Sequence, residues 1–430
     1  MNKTYVIGID QSTQGTKALL FDGEGRLLGR EDLPHRQIVN ERGLVEHDPE
    51  EIYQNSIAVV KNLIEHQAVS KSSIAGIGIS NQRETALAWE RESGIPIYNA
   101  IVWQCARGED ICKEIKAEGY DNIIREHTGL PLSPYFSAAK LSWIMRRVAG
   151  AQDKNRLGKL CCGTMDSWLI YRLTGKKEFK TDYSNASRTQ LFNLTTLSWD
   201  TKLCQIFGIN PDCLAQVCDS DAKYGMTDLE GYLPEAVPIH GVLGDSHGAL
   251  FGQGCIHKGM IKTTYGTGSS VMMNVGEKPV FSSHGAASSL AWCMGGKVNY
   301  VLEGNINYTG AVITWLIVQL QLISNASEAE GFARKANPLD TTYLVPAFSG
   351  LGAPYWDSMA QAMLYGMTRT TGKAEIVKAA LESIAYQIAD VVLAMKADSG
   401  IEVKELRVDG GPTKNTYLMQ FQSDLLKIPV

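Results

Sequence analysis

The chain has 430 residues, 44% of them hydrophobic and 20% charged, with a formal net charge of −5 and a pI near 6.0. That length calls for at least two domains and allows a sizeable core. The acidic balance excludes the broad basic field that nucleic acid or an acidic membrane surface would need, so any phosphate must be held by local N–H groups and single cations. The nine cysteines contain no C-x-x-C pair, and adjacent Cys161 and Cys162 suit neither a structural zinc site nor a secreted disulfide framework. Residues 1–3 lead directly into a strand-like run, and no apolar stretch is long enough to cross a bilayer. A reduced cytoplasm is the compartment expected, with no nucleic-acid or membrane partner and with room for a homo-oligomer.

Residues 5–10 (Tyr-Val-Ile-Gly-Ile-Asp) form a β-branched run ending in Asp10, followed by the polar turn 11–17, a second run at 18–22, a Gly-Glu-Gly turn and a third strand at 27–33. In the first turn Thr13, Gly15 and Thr16 offer small side chains and accessible amides, and Lys17 adds a charge, as a phosphate-binding hairpin would. A plain solvated hairpin accounts for the same residues equally well. Asp48-Pro49-Glu50-Glu51 then opens a helix whose inner face is marked by Ile52, Ile57, Val60 and Ile64. A strand at 74–79 ends in Ser80-Asn81-Gln82-Arg83-Glu84-Thr85, where a guanidinium and a carboxylate could fix neighbouring hydroxyls of a polyol or form an ordinary charge pair. Residues 100–104 place Trp103 at another strand end, facing a carbon chain or the core.

Residues 135–144 begin a helix of mixed polar and aromatic character, residues 163–169 a capped helix, and residues 181–189 a polar loop. Residues 239–254 then carry an apolar run into Gly244-Asp245 and on to a small-residue helix start. That arrangement puts a carboxylate at the end of a buried strand beside amides able to face a phosphate; a plain Asp N-cap is the simpler account of it. Tyr265-Gly266-Thr267-Gly268 is a tight turn between two strands, fit for a terminal phosphate or for a simple hairpin. Residues 305–310 precede an apolar helix, and Leu406-Arg407-Val408-Asp409-Gly410-Gly411 repeats the strand–acid–glycine theme, its glycines allowing a base or ribose to approach the backbone.

Three strand-borne acids, Asp10, Asp245 and Asp409, each precede glycine or hydroxyl residues. The first two stand where domain-sized units begin, which suggests a diverged duplication, residues 1–239 and 240–430, around a cleft. Such a cleft fits phosphoryl transfer, whose loose transition state needs positioning and charge stabilisation, with Asp245 as general base toward an acceptor hydroxyl.

The motifs 81–85 (Asn-Gln-Arg-Glu-Thr), 98–104, 181–188, 265–268, 353–357 (Ala-Pro-Tyr-Trp-Asp) and 406–411, with segments 135–144 and 362–382, together resemble the FGGY carbohydrate kinases, and among them most nearly the glycerol kinases. The resemblance covers nearly the whole chain. It implies an α/β fold of duplicated ribonuclease-H-like, actin-type ATPase domains with an inter-domain cleft for ATP and Mg²⁺. It further implies that Arg83, Glu84, Trp103, Tyr135 and Asp245 line the polyol site with Asp245 as base. Thr13, Gln14, Lys17, Thr267, Gly310, Thr314, Gly411 and Asn415 take the nucleotide positions, and Asp10 helps hold Mg²⁺. Where glycerol kinases carry Gln after the catalytic Asp, this chain has Ser246 and then His247, and where they carry an aromatic after Gly-Thr-Gly it has Ser270. Both changes imply a roomier, more polar pocket, which opens a longer polyol or a ketopentose as the alternative acceptor. Gln14, Gly15, Lys17 and Thr314 also depart from the family's usual residues. Members of the family continue past the position of Val430 with a strand and helix, so the resemblance leaves the second domain without that end. A reading of another class, an actin-like nucleotide-binding assembly or sensor protein, gives Arg83, Glu84 and Trp103 no role.

Overall fold

The computed structural model describes residues 4–357 and 359–430. Residues 1–3, expected to lead into the first strand, lie outside the described residues. The chain divides into two compact units, one of residues 1–248 with 289–298, the other of residues 249–288 with 299–430. Among the described residues no helix is long and apolar enough to cross a membrane.

The first unit is built on strands β1 (Tyr5–Gln11), β2 (Gly15–Phe21) and β3 (Leu27–Pro34), helix α1 (Pro49–His66) and strand β4 (Ile74–Asn81). Period-two alternation sets the inner face of the hairpin, with Ile7, Ile9, Ala18 and Leu20 fully buried. The edge strand β3 carries Arg30, Glu31 and Asp32, charges that discourage pairing with another chain. Helix α1 starts where its residues direct: Asp48 accepts the Glu50 amide at 2.8 Å, Pro49 takes the first position, and Ile52, Ile57, Val60 and Ile64 face the core. Later come α2 (Ser137–Arg147), β5 (Lys180–Asp182), α3 (Tyr183–Ala186), β6 (Lys223–Thr227), β7 (Val237–Gly244) and α4 (Asp245–Gly252). The main sheet has the order β6-β7-β4-β1-β2-β3. Its strands β1, β4 and β7 run parallel, so Asp10, Asn81 and Gly244 finish at one edge, with Asp10 opposite Ser80 and Gly244 opposite Asn81. In parallel α/β sheets the carboxyl edge is where ligands bind.

The second unit repeats that plan. Strands β8 (Ile261–Tyr265) and β9 (Ser269–Gly276) form an antiparallel hairpin, and β9 pairs antiparallel with β11 (Lys297–Ile306), which follows β10 (Ala287–Met294). Helices α5 (Gly310–Val318) and α6 (Lys373–Ser399) precede β12 (Leu406–Gly410), which returns parallel to β8 and leads to α7 (Thr416–Leu426). The order β11-β9-β8-β12 therefore matches β3-β2-β1-β4, strand sense included.

This duplication is the one expected, with its halves placed differently. The repeat of β1 is β8, whereas the strand ending at Asp245 is the third parallel strand of the first sheet. Two local expectations are also corrected. Of residues 181–189, expected as a polar loop, 181–186 fall in β5 and α3 and 187–189 form a turn, and their side chains from Thr181 to Thr189 are almost all buried. Only Ala100–Ile101 of the run 100–104 is strand, so Trp103 sits in the turn beyond it.

Candidate active site

Asp245 is the first residue of α4, directly after β7. Its carboxylate is held through one oxygen: Oδ1 accepts Arg83 Nε at 3.1 Å and the Ser246 amide at 2.6 Å. Neither contact falls on Oδ2, and the side chain is 40% exposed. Arg83 is almost buried and also donates to Ser246 Oγ at 3.1 Å. Glycine is needed just before Asp245, since a Cβ at Gly244 would stand 2.6 Å from Arg83 Cδ. Of the residues after Asp245 expected to depart from the family pattern, Ser246 is thus tied to Arg83, and His247 is buried within 3.3 Å of Ser289 Oγ.

Glu84 lies beside this group in the left-handed region, φ 60°. Its carboxylate accepts Arg188 Nε at 2.5 Å, and both side chains are sealed from solvent at 2% and 1% exposure. The Arg188 guanidinium lies 5.0 Å from the Phe136 ring centroid. A buried ion pair of this kind needs both partners. Trp103 and Tyr135 make the apolar wall, with ring centroids 5.5 Å apart, and Trp103 Nε1 donates to Thr13 Oγ1 at 2.9 Å. That bond ties the wall to the β1–β2 hairpin, where Gln14 is exposed and Lys17 pairs with Asp10 at 3.1 Å. Asp10 also accepts from Ser80 at 3.3 Å.

The Tyr135 segment is held from below by Lys140, fully buried on α2, which donates to the carbonyls of Pro134 at 2.8 Å and Phe136 at 3.1 Å and to that of Tyr135. Burial brings this ammonium down to a pKa of about 7. Neither Lys140 nor the pairing of Arg188 with Glu84 was legible in the residue order, where a lysine in a helix and an arginine in a polar run read as solvent-facing.

In the second unit, the Gly266-Thr267-Gly268 turn joins β8 to β9 and its carbonyls receive the start of α5. Gly310 N donates to Gly266 O at 2.9 Å, and Ala311 N to Thr267 O at 3.0 Å. The close fit requires glycine at both sides: a Cβ on Gly310 would lie 2.6 Å from Gly266 O, and one on Gly268 2.4 Å from Ile306 O. Gly266 and Thr267 are exposed, Thr314 stands exposed on α5, and the Ser270 hydroxyl is buried with no hydrogen-bond partner among the described residues. Asn415 caps α7, its Oδ1 accepting the Leu418 amide at 3.0 Å. In the glycine pair, it is Gly410 that the backbone demands, with φ 99° and no room for a Cβ beside Tyr265 O; Gly411 is exposed with open space around it. Asp409 accepts from Thr264 at 3.1 Å and from Gln253.

Two sheets of matching plan, each with a tight turn after its first strand, meet their counterpart in sequence comparison. The N-terminal domain of the FGGY family of carbohydrate kinases matches residues 5–252, and its C-terminal domain matches residues 261–430. The chain belongs to the FGGY family of carbohydrate kinases. This FGGY chain is 49% identical to glycerol kinase 1 of Thermotoga maritima over 426 residues, covering 99% of this chain and 86% of that protein. It is 47% identical to a glycerol kinase of Listeria monocytogenes over 430 residues, with 100% and 86% covered. Among solved structures, that of Plasmodium falciparum glycerol kinase with ADP superposes with a TM-score of 0.92 at 39% identity, covering 99% of this chain and 85% of that one. A ligand-bound xylulose kinase from Lactobacillus acidophilus shares the fold, with a TM-score of 0.88 at 22% identity over 99% of this chain and 84% of that one. FGGY membership makes the chain a phosphotransferase acting on an alcohol and favours that reading over an actin-like assembly protein.

Proposed function

We propose that the chain phosphorylates a hydroxyl of glycerol, or of a small polyol like it, at the expense of ATP, with Asp245 as general base. The supporting observation is the asymmetric hold on Asp245: Arg83 Nε and the Ser246 amide both fix Oδ1, neither of these contacts falls on Oδ2, and the side chain is partly open to solvent. An acceptor hydroxyl against Oδ2 gives up its proton there as its oxygen attacks phosphorus and the leaving phosphate oxygen departs with the bond electrons. A fixed carboxylate suits this step because general-base efficiency depends on heavy-atom contact of about 2.6–3.2 Å.

The remaining residues divide the work in this reading. Arg83 and Glu84 orient neighbouring hydroxyls, Trp103 and Tyr135 cover the carbon chain, and Thr13, Gln14, Lys17, Thr267, Gly310, Thr314, Gly411 and Asn415 serve the nucleotide. Magnesium, when bound, neutralises phosphate charge. Asp10 fits such an ion: it is a single carboxylate with 31% exposure, at the carboxyl edge of the sheet, beside Lys17 and Ser80. Magnesium in such enzymes is held through one or two carboxylates plus substrate phosphates, which accords with there being no cluster of three or more His, Cys, Asp or Glu among the described residues. A reducing compartment such as the cytoplasm suits the nine free cysteines, eight of which are buried.

The small side chain of Ser246, tied to Arg83, supports a second acceptor, a longer polyol or ketopentose. A coupled ADP-release assay across glycerol, tetritols, pentitols and ketopentoses decides between them. Glycerol is expected to give the highest kcat/KM, and Asp245→Asn to lower kcat by about 10²–10⁴-fold. Acceptor-independent ADP release, or full activity in Asp245→Asn, would overturn the proposal.

A further inference from the structure

The carboxylate of Asp182 is wholly buried, yet it forms no ion pair among the described residues. It is instead ringed by donors: Oδ1 accepts Ser184 Oγ at 2.9 Å, Asn185 N at 2.9 Å and Asn185 Nδ2 at 2.8 Å, while Oδ2 accepts Ser184 N and Ser220 Oγ, both at 2.9 Å. Burial pushes its pKa up, and the donors work against that rise. Burying a charge is costly unless it is fully hydrogen-bonded, so a site built with five donors around one carboxylate calls for a purpose.

The bonds leading outward from this carboxylate supply one. Ser184 Oγ, whose proton points at Asp182, accepts the amide of Gly244 at 2.9 Å, and Gly244 is the residue before Asp245. Asn185 forms a reciprocal amide pair with Asn81, at 2.9 and 3.0 Å, and Asn81 ends the strand that leads to Arg83. Arg188, one turn further, holds Glu84. A single buried segment therefore reaches the strand ends that carry the proposed base, the arginine that orients it and the neighbouring carboxylate.

We infer that Asp182 is a positioning residue for phosphoryl transfer: through Ser184 it fixes the Gly244 amide and so sets where the Asp245 carboxylate stands. The inference rests on Asp245 being the base. Asp182→Asn would set an amide N–H against one group of donors and release the Ser184 hydroxyl; Ser184→Ala removes the acceptor of the Gly244 amide together with one of the five donors to Asp182.

The test measures kcat and KM for ATP and glycerol in wild type, Asp182→Asn, Ser184→Ala and Asp245→Asn, and in Asp182→Asn and Ser184→Ala each combined with Asp245→Asn. Misplacement of a reacting group by an ångström costs about 10²-fold, so both single variants are expected to lower kcat by about 10- to 100-fold while KM for ATP stays within about threefold. In the Asp245→Asn background, where no carboxylate remains to be placed, they are expected to lower kcat no further. A purely structural role would give the same fall in both backgrounds, and that result overturns the inference, as does wild-type kcat in Ser184→Ala. Ser184→Ala keeps the test decisive if Asp182→Asn does not fold. Full activity in Asp245→Asn would remove the base assignment and this inference together, whereas a crippled Asp245→Asn with an indifferent Ser184→Ala removes the inference alone.

Discussion

Replacing Arg188 by Met strips the cation from the largely buried carboxylate of Glu84. Glu84 and Arg188 are 2% and 1% exposed and joined at 2.5 Å, so the variant leaves a buried Glu84 without its cation. Breaking a buried pair from one side costs about 3–5 kcal/mol, most of it the penalty of the charge left behind. At about 2–4 °C per kcal/mol for a domain of this size, the first unit should melt about 6–20 °C lower. The double variant Glu84→Gln/Arg188→Met removes the stranded charge and should recover more than half of that loss. Differential scanning calorimetry of the wild type, both single variants and the double variant at pH 7.5 reads this directly. The reasoning fails if Arg188→Met melts within about 2 °C of wild type, or if the double variant melts as low as Arg188→Met.

Lys140 should leave a mark on the pH dependence of stability. Burial lowers its pKa from 10.5 to about 7, so between pH 7 and 10 the unfolded chain binds the extra proton and this group's contribution to stability rises with pH; Lys140→Met should remove that rise in urea unfolding at pH 7 and pH 9. Gly310→Ala meets a carbonyl at 2.6 Å, and overpacking of that order costs about 1–3 kcal/mol; KM for ATP should rise while KM for glycerol does not. Gly331→Ala, exposed on the Glu328–Lys335 helix with nothing within 4 Å, should instead stabilise by about 0.4–1 kcal/mol in the same unfolding assay. Trp103→Leu loses both the bond to Thr13 and the contact with Tyr135, and KM for glycerol should rise by about tenfold, the loss of roughly 1.4 kcal/mol of binding.

Elements whose local chemistry and tertiary fate agree were the legible ones. The β1–β2–β3 meander shows its period-two pattern, α1 shows its Asp-Pro cap, and the strand–Gly-Asp–helix junction at 245 reads correctly from residue type alone. Residues 181–189 misled because polarity normally signals solvent. Here burial is achieved by mutual hydrogen bonding around Asp182, in a three-residue strand and a four-residue helix too short to show any periodicity. Lys140 was hidden for a related reason: its partners are three carbonyls of the segment before its own helix, a match that only the turn at 134–136 creates. The position of the repeat was misplaced because Asp10 and Asp245 look alike in sequence, whereas strand pairing makes β8 the counterpart of β1. In the glycine pair 410–411, conformation singles out the first member, which residue type cannot do.

The most direct measurement is a crystal structure with glycerol and a non-hydrolysable ATP analogue bound. The account predicts a glycerol hydroxyl within about 2.6–3.2 Å of Asp245 Oδ2, with Arg83 still on Oδ1. A glycerol molecule whose hydroxyls all turn away from Asp245, with the phosphate chain ending elsewhere, would contradict it.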